Sequence, residues 1–238
     1  MKLKFIILVL LLFTLGACQF IKTTTNQGDV QSFKDHFRSN SKFNKNWEDD
    51  SYKSPASYFI EDGHLKITTR PQLVDRVKVK TKRNDFGLGT YSWRIYIPQF
   101  DLFDQCAIGA FLYHSGDINY EFDFEIGSGT KTHRDELNAN LSEVLVHCTS
   151  QIAPFSNHIS KIESEEWHEF TIELKQGFGD KYLIMWYIDG VLVKTLQSDI
   201  KTDIKFTVHN SIENLDFMGE QLPTRKNYVL FDWFEYRP

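Results

Sequence analysis

Apolar and polar side chains alternate with period two through most of the chain. Because successive side chains of a strand point to opposite faces, this alternation predicts β-strands. The alternating segments are residues 65–68, 77–80, 91–97, 170–174, 182–188, 191–193, 206–208 and 228–236. Pro98 ends the third segment, and Asp189-Gly190 is a strong signal for a two-residue hairpin turn between the fifth and sixth.

A helical interpretation is open to only one stretch, residues 135–146, and Val144-Leu145-Val146 favours a strand even there. Many short strands without helices between them indicate an all-β fold, an antiparallel two-sheet sandwich. No repeat and no second linker follows residue 31. The sequence therefore predicts one β-sandwich domain over residues 32–238.

The N-terminal segment has the pattern of an export signal. Lys2 and Lys4 precede an apolar run that is too short to span a bilayer as a helix and ends in Leu15-Gly16-Ala17-Cys18. This ending resembles the bacterial lipoprotein box, in which cleavage before the cysteine leaves a lipidated N-terminus. We interpret residues 1–17 as a signal peptide, Cys18 as the lipidated residue and residues 18–31 as a polar tether. An ordinary secretory signal with an incidental cysteine is the alternative.

The composition argues against nucleic-acid binding and against a fold held together by disulfides. The 238 residues carry 27 Lys and Arg against 32 Asp and Glu, a net charge of −5, which gives no electrostatic reason to bind nucleic acid. Three cysteines cannot build a disulfide scaffold. Export permits a disulfide between Cys106 and Cys148, while two buried thiols are the alternative.

One predicted strand carries three closely spaced acidic residues. In residues 119–127, the side chains of Tyr120, Phe122, Phe124 and Ile126 share one face, and those of Glu121, Asp123 and Glu125 share the other. The aromatic face belongs in the core. The opposite face then presents three neighbouring carboxylates, which should raise the pKa of at least one of them.

A carboxylic acid beside a carboxylate is what glycoside cleavage requires, as proton donor and as nucleophile or charge stabiliser. Glu121 and Glu125 have Cα atoms about 13 Å apart on a flat strand, whereas retaining glycosidases hold their carboxyl groups about 5–5.5 Å apart. The two side chains must therefore lean together across Asp123, helped by a twisted sheet. A solvated acidic strand face and a calcium site are the alternatives.

This strand and several other blocks resemble glycoside hydrolase family 16, the lichenase and laminarinase group. Glu121-Phe122-Asp123-Phe124-Glu125 matches the family motif Glu-x-Asp-x-Glu without an inserted residue, as in lichenases and xyloglucan-active members. The other similar blocks, in the family's order, are Phe86–Tyr91, Phe111–Tyr113, Trp167–Phe170, Trp186–Val191 and Phe231–Tyr236. The resemblance implies a concanavalin A-like β-jelly-roll.

The resemblance also implies roles for the acids. Glu121 would be the nucleophile, Glu125 the general acid and then the general base, and Asp123 a hydrogen-bond partner of the nucleophile, with retention at the anomeric carbon. One departure bears on substrate contacts: Asn119 stands where family lichenases carry a Trp. The catalytic strand matches the family better than the sugar-binding positions do.

Four further residues are candidates for substrate contact, because aromatic faces stack on sugar rings. Tyr113, Trp93 and Trp186 lie in or near the matched blocks, and His209 lies beside a loop near the expected cleft. Core packing is the alternative for the aromatic residues, and a plain surface or core histidine is the alternative for His209.

No cofactor is expected for catalysis. Some family members hold a structural calcium, and the resemblance places its ligands at Gly63 and Asp232, with a turn glycine and a surface aspartate as the alternative. The histidines form no ligand-spaced cluster, which argues against zinc; those considered are His114, His133, His147, His158 and His209.

These observations favour a lipid-anchored, retaining endo-glycosidase acting on a β-linked polysaccharide of the β-glucan or algal galactan type. A non-catalytic glycan-binding surface lipoprotein on the same fold is the main alternative, and a structural surface lipoprotein is another. The expected location is that of an exported bacterial lipoprotein, anchored to a membrane on its periplasmic or its cell-surface face.

Overall fold

The computed structural model describes residues 31–52 and 55–238. The predicted signal peptide, Cys18 and nearly all of the tether lie outside the described residues. The described part contains no helix that is long and apolar enough to cross a membrane.

The described residues form two antiparallel sheets, which confirms the predicted all-β jelly-roll sandwich. The strands are β1 (Phe33–Asp35), β2 (Trp47–Asp49), β3 (Tyr58–Glu61), β4 (His64–Thr68), β5 (Arg76–Thr81), β6 (Gly89–Ile97), β7 (Cys106–His114), β8 (Tyr120–Gly127), β9 (Glu143–Ser150), β10 (Ser156–Glu163), β11 (Glu166–Gln176), β12 (Lys181–Ile188), β13 (Val191–Lys201), β14 (Thr207–Asn214) and β15 (Tyr228–Arg237). The helices are α1 (Asn40–Asn46) and α2 (Lys131–Glu136), with short 3₁₀ turns at Phe178–Asp180 and Asp216–Met218.

The cleft sheet has the strand order β10-β9-β8-β7-β14-β5-β2. The back sheet has the order β13-β12-β11-β6-β15-β4-β3, with β1 also paired to β15. Strands that are distant in sequence, β5 and β14, therefore lie on the same side of β8 as β7. This arrangement decides which side chains meet at the site.

Turn chemistry sets the hairpins as the sequence predicts. Asp189 and Gly190 join β12 to β13 with φ of 49° and 76°, both in the left-handed region that a type I′ turn requires. The Asp62-Gly63 turn between β3 and β4 has the same form, with φ of 49° and 80°. Pro98 follows the last residue of β6, as expected.

Only the first two residues of the segment 135–146 are helical, as the end of a short helix, and the predicted strand is present in its last part. Helix α2 begins after Thr130, whose side-chain oxygen accepts a hydrogen bond from the His133 amide, and β9 begins at Glu143. Helix α1 has a similar cap at Ser39 and was not predicted. Both helices are too short to show apolar periodicity.

The core lies between the two sheets and is rich in aromatic rings. Phe122, Phe124 and Ile126 of β8 are fully buried. The ring of Phe124 lies 5.2 Å from that of Phe170 on the back sheet, in edge-to-face geometry. Burial of this face leaves the opposite face of β8 for the acids.

Cys106 and Cys148 are both free and buried. Burial raises the pKa of each thiol above its usual value. The sequence left a disulfide and two buried thiols as alternatives, and the structure shows two buried thiols.

Candidate active site

The three acids of β8 face away from the core, as the alternation predicts. The strand pairs with β7 and β9 in continuous antiparallel register, with Glu125 opposite Gly109 on β7 and His147 on β9. Glu121 and Glu125 are half-buried and line one cleft of about 360 Å³, while Asp123 between them is fully buried. The two glutamates therefore reach a common space despite their separation along the strand.

This main cleft extends from β8 across β7 and β14 to β5. Glu121, Glu125, Tyr113, His209, Glu213 and Arg76 line it, together with Asp50, Tyr52, Lys78 and small residues of β7. The β7 residues at the floor, Ala107 and Gly109, have no bulky side chain, so the cleft stays open above them. A Cβ added to Gly109 would collide with the Ser211 hydroxyl group, so a larger residue fits there only if the Ser211 side chain shifts.

The environment of the acids favours their protonated forms. Burial, followed by the negative charge of Glu213, raises the pKa of Glu121 to about 7, although Lys78 and Arg76 oppose the shift. Burial, Asp123, Glu121 and Glu213 raise the pKa of Glu125 well above its ordinary range. The group therefore retains protons near neutral pH, which is the condition a general acid requires.

Asp123 is held by Gln151, which directly follows β9, and by Trp186 of β12 in the back sheet. Its Oδ2 accepts a hydrogen bond from Gln151 Nε2 at 3.0 Å, and its backbone oxygen accepts one from Trp186 Nε1 at 3.1 Å. Burial and then Glu121 raise the pKa of its carboxyl well above normal. The described contacts tie Asp123 to Gln151, while its predicted action on Glu121 stays a prediction.

Two of the predicted sugar contacts are wrong. Trp93 and Trp186 are fully buried between the sheets, so neither can offer a ring face to a ligand. Trp93 Nε1 donates to Asn210 Oδ1 at 2.9 Å, and Trp186 Nε1 donates to the Asp123 carbonyl. Both indoles face inward from the back sheet, because the alternation of their strands places them on its core face.

Tyr113 and His209 do line the main cleft. Burial, together with Glu121 and Asp50, raises the pKa of the Tyr113 hydroxyl. The His209 ring stacks on Phe111 with centroids 4.6 Å apart, and burial lowers its pKa well below normal, so it is a neutral ring packed at the cleft surface. Contact with a sugar stays a prediction for both.

Asn119 is exposed just before β8 and does not line the main cleft. Its Oδ1 accepts a hydrogen bond from the Gly116 amide at 3.4 Å. The side chain stabilises the β7–β8 turn, and its predicted role in substrate contact has no further support from its contacts.

Sequence reasoning missed an ion pair in the cleft. Arg76 of β5 and Glu213 of β14 form a salt bridge, and Glu213 is almost fully buried. Arg76 directly precedes the alternating segment 77–80, and Glu213 lies five residues after the segment 206–208. Continuing the alternation through each strand gives the direction in which the two side chains point. Only the strand order brings them beside β8.

We expect Glu213→Gln to lower the pKa of Glu121 and Glu125, because the substitution removes a negative charge that disfavours their ionisation. A carboxyl with a lower pKa ionises at lower pH, so the Glu121 midpoint should move below about 7. Carboxyl-carbon NMR titration of the two glutamates measures the shift. Arg76→Gln should move both midpoints upward, and a shift of the same sign in both variants would contradict this account.

The positions that the resemblance gives to calcium do come together. The pairing of β4 with β15 ends at Leu65 and Phe231, so Gly63 and Asp232 both lie just beyond the paired residues at the same end of the two strands. The carboxylate of Asp232, however, accepts a hydrogen bond from Arg94 Nη1 at 2.7 Å and lies 3.8 Å from His64 Nε2. No group of three or more His, Cys, Asp or Glu in the described ranges is arranged to hold a metal. The Asp232 carboxylate is thus already paired with a cation, which argues against a calcium ion at this position, and the calcium site stays a prediction.

We expect calcium to leave the melting temperature unchanged, because the ion would have to displace the Arg94 guanidinium from Asp232. Thermal unfolding in millimolar CaCl₂ and in EDTA tests this expectation, since a ligand that binds the native state raises the melting temperature. A rise in CaCl₂ that disappears in Asp232→Asn would instead establish a calcium site.

Solved structures share this architecture. The chain superimposes on the β-glucanase of Bacillus licheniformis with a TM-score of 0.62 and 14% identity, covering 87% of this chain and 98% of that one. A laminarinase from Flavobacterium sp. UMI-01 gives 0.61 and 14%, covering 87% and 99%. β-Agarase B from Zobellia galactanivorans gives 0.57 and 17%, covering 86% and 91%.

No protein-family model matches this sequence, and no curated protein sequence matches it. The likeness is therefore one of structure, and it extends over almost the full length of the solved chains. The described part of this chain has the jelly-roll fold of glycoside hydrolase family 16.

Proposed function

We propose that the protein is a retaining endo-glycosidase that hydrolyses a β-linked polysaccharide. The observation that carries the proposal is the placement of Glu121 and Glu125 on one strand face, in one cleft, with raised pKa values. β-Glucans and algal galactans are the first substrate classes to test, because β-glucanase, laminarinase and β-agarase are structural neighbours. No cofactor takes part in this chemistry.

In the first step, the Glu121 carboxylate attacks the anomeric carbon while Glu125 gives its proton to the departing glycosidic oxygen. The carbon–oxygen bond to the leaving sugar breaks as the bond to Glu121 forms. In the second step, the Glu125 carboxylate takes a proton from water, which attacks the same carbon and releases Glu121. Two inversions give net retention. The high pKa of Glu125 allows it to hold the proton near neutral pH.

A panel of soluble glycans tests the proposal: barley β-glucan, laminarin, xyloglucan, agarose, carrageenan and a poly-N-acetyllactosamine chain. Release of reducing ends with internal cleavage products is the expected result for at least one member. Proton NMR of the first product should show the β-anomer before mutarotation. Cleavage of no member, or a first product with inverted configuration, would contradict the proposal.

A non-catalytic glycan-binding protein is the second candidate. Asn119 supplies no ring at the position where family lichenases carry Trp, and the two buried tryptophans provide no platform. Binding of a panel member without any cleavage, at an affinity unchanged in Glu121→Gln, would favour this candidate over the enzyme.

We also propose that the domain is exported and anchored through a lipid on Cys18. The support is the sequence pattern alone: a basic start, a short apolar run and Leu15-Gly16-Ala17-Cys18. Growth in a bacterial host with an alkyne-labelled fatty acid should label the wild-type chain. Cys18→Ala should remove the label, and labelling that persists in this variant would contradict the anchor.

A further inference from the structure

A second pocket lies on the other side of β8 from the main cleft. It occupies about 300 Å³ above β9 and β10, and we call it the phenyl pocket after two of its lining residues, Phe155 and Phe217. His147 and Glu125 also line it. Glu125 is thus the one acid of β8 that borders both spaces, so a ligand in the phenyl pocket lies beside the proposed proton donor.

The chemistry of the phenyl pocket differs from that of the main cleft. Apart from Glu125, its lining carries no carboxylate, lysine or arginine. Its amides bond to neighbouring protein groups: Gln151 Nε2 donates to Asp123, and Asn157 Nδ2 lies 3.1 Å from His147 Nδ1. Phe155 and Phe217 are 68% and 45% exposed, which leaves their rings available to a ligand. The walls are therefore largely apolar.

Two histidines line this pocket, His133 and His147, and each has a buried ring nitrogen without a hydrogen-bond partner among the described residues, Nδ1 of His133 and Nε2 of His147. Because the Asn157 amide donates to His147 Nδ1, the ring proton of His147 belongs on Nε2. Nε2 has no hydrogen-bond partner among the described residues, although the side chain is only 2% exposed. Burial, followed by the charge of His133, lowers the pKa of His147 to about 4, so the ring is a neutral donor at physiological pH.

A buried donor without a partner is costly unless a ligand satisfies it. A ligand that presents only hydroxyl groups would leave several of its own donors and acceptors unpaired against the phenyl rings. A group with one strong acceptor and an apolar end matches the pocket better. Among the substituents of sugars, an acetamido group has this character, with a carbonyl oxygen and a methyl group.

We propose that the phenyl pocket binds the acetamido group of an N-acetylhexosamine unit, with His147 Nε2–H donating to the carbonyl oxygen and the methyl group packing between Phe155 and Phe217. Its place next to the scissile bond rests on the proposed function, through Glu125. The substrate would then be a β-linked glycan that contains N-acetylhexosamine, which narrows the class considerably.

Binding of monosaccharides to the intact domain tests the pocket without any cleavage. N-Acetylglucosamine and N-acetylgalactosamine should bind at least about tenfold more tightly than glucose and galactose by NMR titration, the difference expected from one satisfied hydrogen bond and a buried methyl. The His147 ring signals should shift on binding. Equal affinity for the plain and acetylated sugars would overturn the proposal.

Three variants locate the binding. His147→Gln and the double variant Phe155→Ala/Phe217→Ala should each weaken N-acetylglucosamine binding about tenfold. The two phenylalanines are exposed, so their replacement should leave the fold intact even where His147→Gln does not. His158→Gln is the matched control, because His158 lies on the opposite face of β10 from Asn157. Unchanged binding in the double variant would overturn the proposal.

The two proposals fail in different ways. Cleavage of plain β-glucan with no preferential binding of acetylated sugars would leave the glycosidase standing and remove the acetamido pocket. Binding of N-acetylglucosamine that depends on the phenyl rings, without cleavage of any glycan, would leave the pocket standing and remove the glycosidase.

Discussion

Glu121→Gln and Glu125→Gln are each expected to reduce glycan hydrolysis at least about a thousandfold, because each removes a group that forms or breaks a bond in the proposed reaction. The pKa of Glu121 is about 7 and that of Glu125 is well above its usual range, so the cleft already accommodates a neutral group at each position and the amide disturbs it little. Reducing-end assays on the substrate found by the glycan panel, with circular dichroism as the check on folding, measure the effect.

The leaving group separates the two roles. An aryl glycoside with an acidic phenol leaves without protonation, so Glu125→Gln should retain much of the first step with such a substrate, whereas Glu121→Gln should not. Glu169→Gln is the matched control, because Glu169 is an exposed residue of the back sheet. Full activity in Glu121→Gln, or equal losses of polysaccharide and aryl glycoside hydrolysis in Glu125→Gln, would contradict the assigned roles.

Trp186→Ala is expected to lower the free energy of unfolding by about 3–5 kcal/mol. The indole is fully buried between the sheets, and its Nε1 bonds to the backbone of β8, so both packing and a cross-sheet hydrogen bond are lost. The corresponding fall in melting temperature is about 6–20 °C for a domain of this size. Thermal and urea unfolding monitored by fluorescence measure the loss.

Trp233→Ala is the control for Trp186→Ala. Trp233 lies half-buried on the outer face of β15, where Lys34 Nζ sits 5.0 Å from the centre of its ring. Its loss should cost only about 1 kcal/mol. If Trp186→Ala unfolded like the wild type and lost affinity for glycan instead, Trp186 would be a sugar contact and the core assignment would be wrong.

Local patterns predicted the fold and the central strand of the site. The alternation of Phe122, Asp123 and Phe124 shows which side chains of β8 face the core without reference to any other segment, and Asp189-Gly190 predicts the hairpin between β12 and β13. The direction of a side chain in a strand and the type of a tight turn depend only on residues that are adjacent in sequence. The same holds for Glu121 and Glu125, whose shared face follows from their even spacing.

Contacts between distant segments could not be predicted in this way. The sequence gives Arg76 and Glu213 an outward face, but only the order of strands in the cleft sheet places both next to Glu121. Trp186 was misassigned for the related reason that alternation defines two faces of a strand without saying which one meets the other sheet. The sequence analysis considered His147 only as a zinc ligand, because its other contacts involve Asn157 and Phe217, which approach it from other elements.

The unbroken pairing of β8 with both neighbours restricts how this protein can change. Adding a single residue between Asp123 and Glu125 would move every following side chain to the opposite face of the sheet, unless a β-bulge accommodated the insertion. Glu125 would then face the hydrophobic core, and an apolar side chain of β8 would face the solvent. Variation in specificity should therefore accumulate in connecting loops, such as those that carry Phe155 and Phe217, where length is free to drift while the reacting groups keep their spacing.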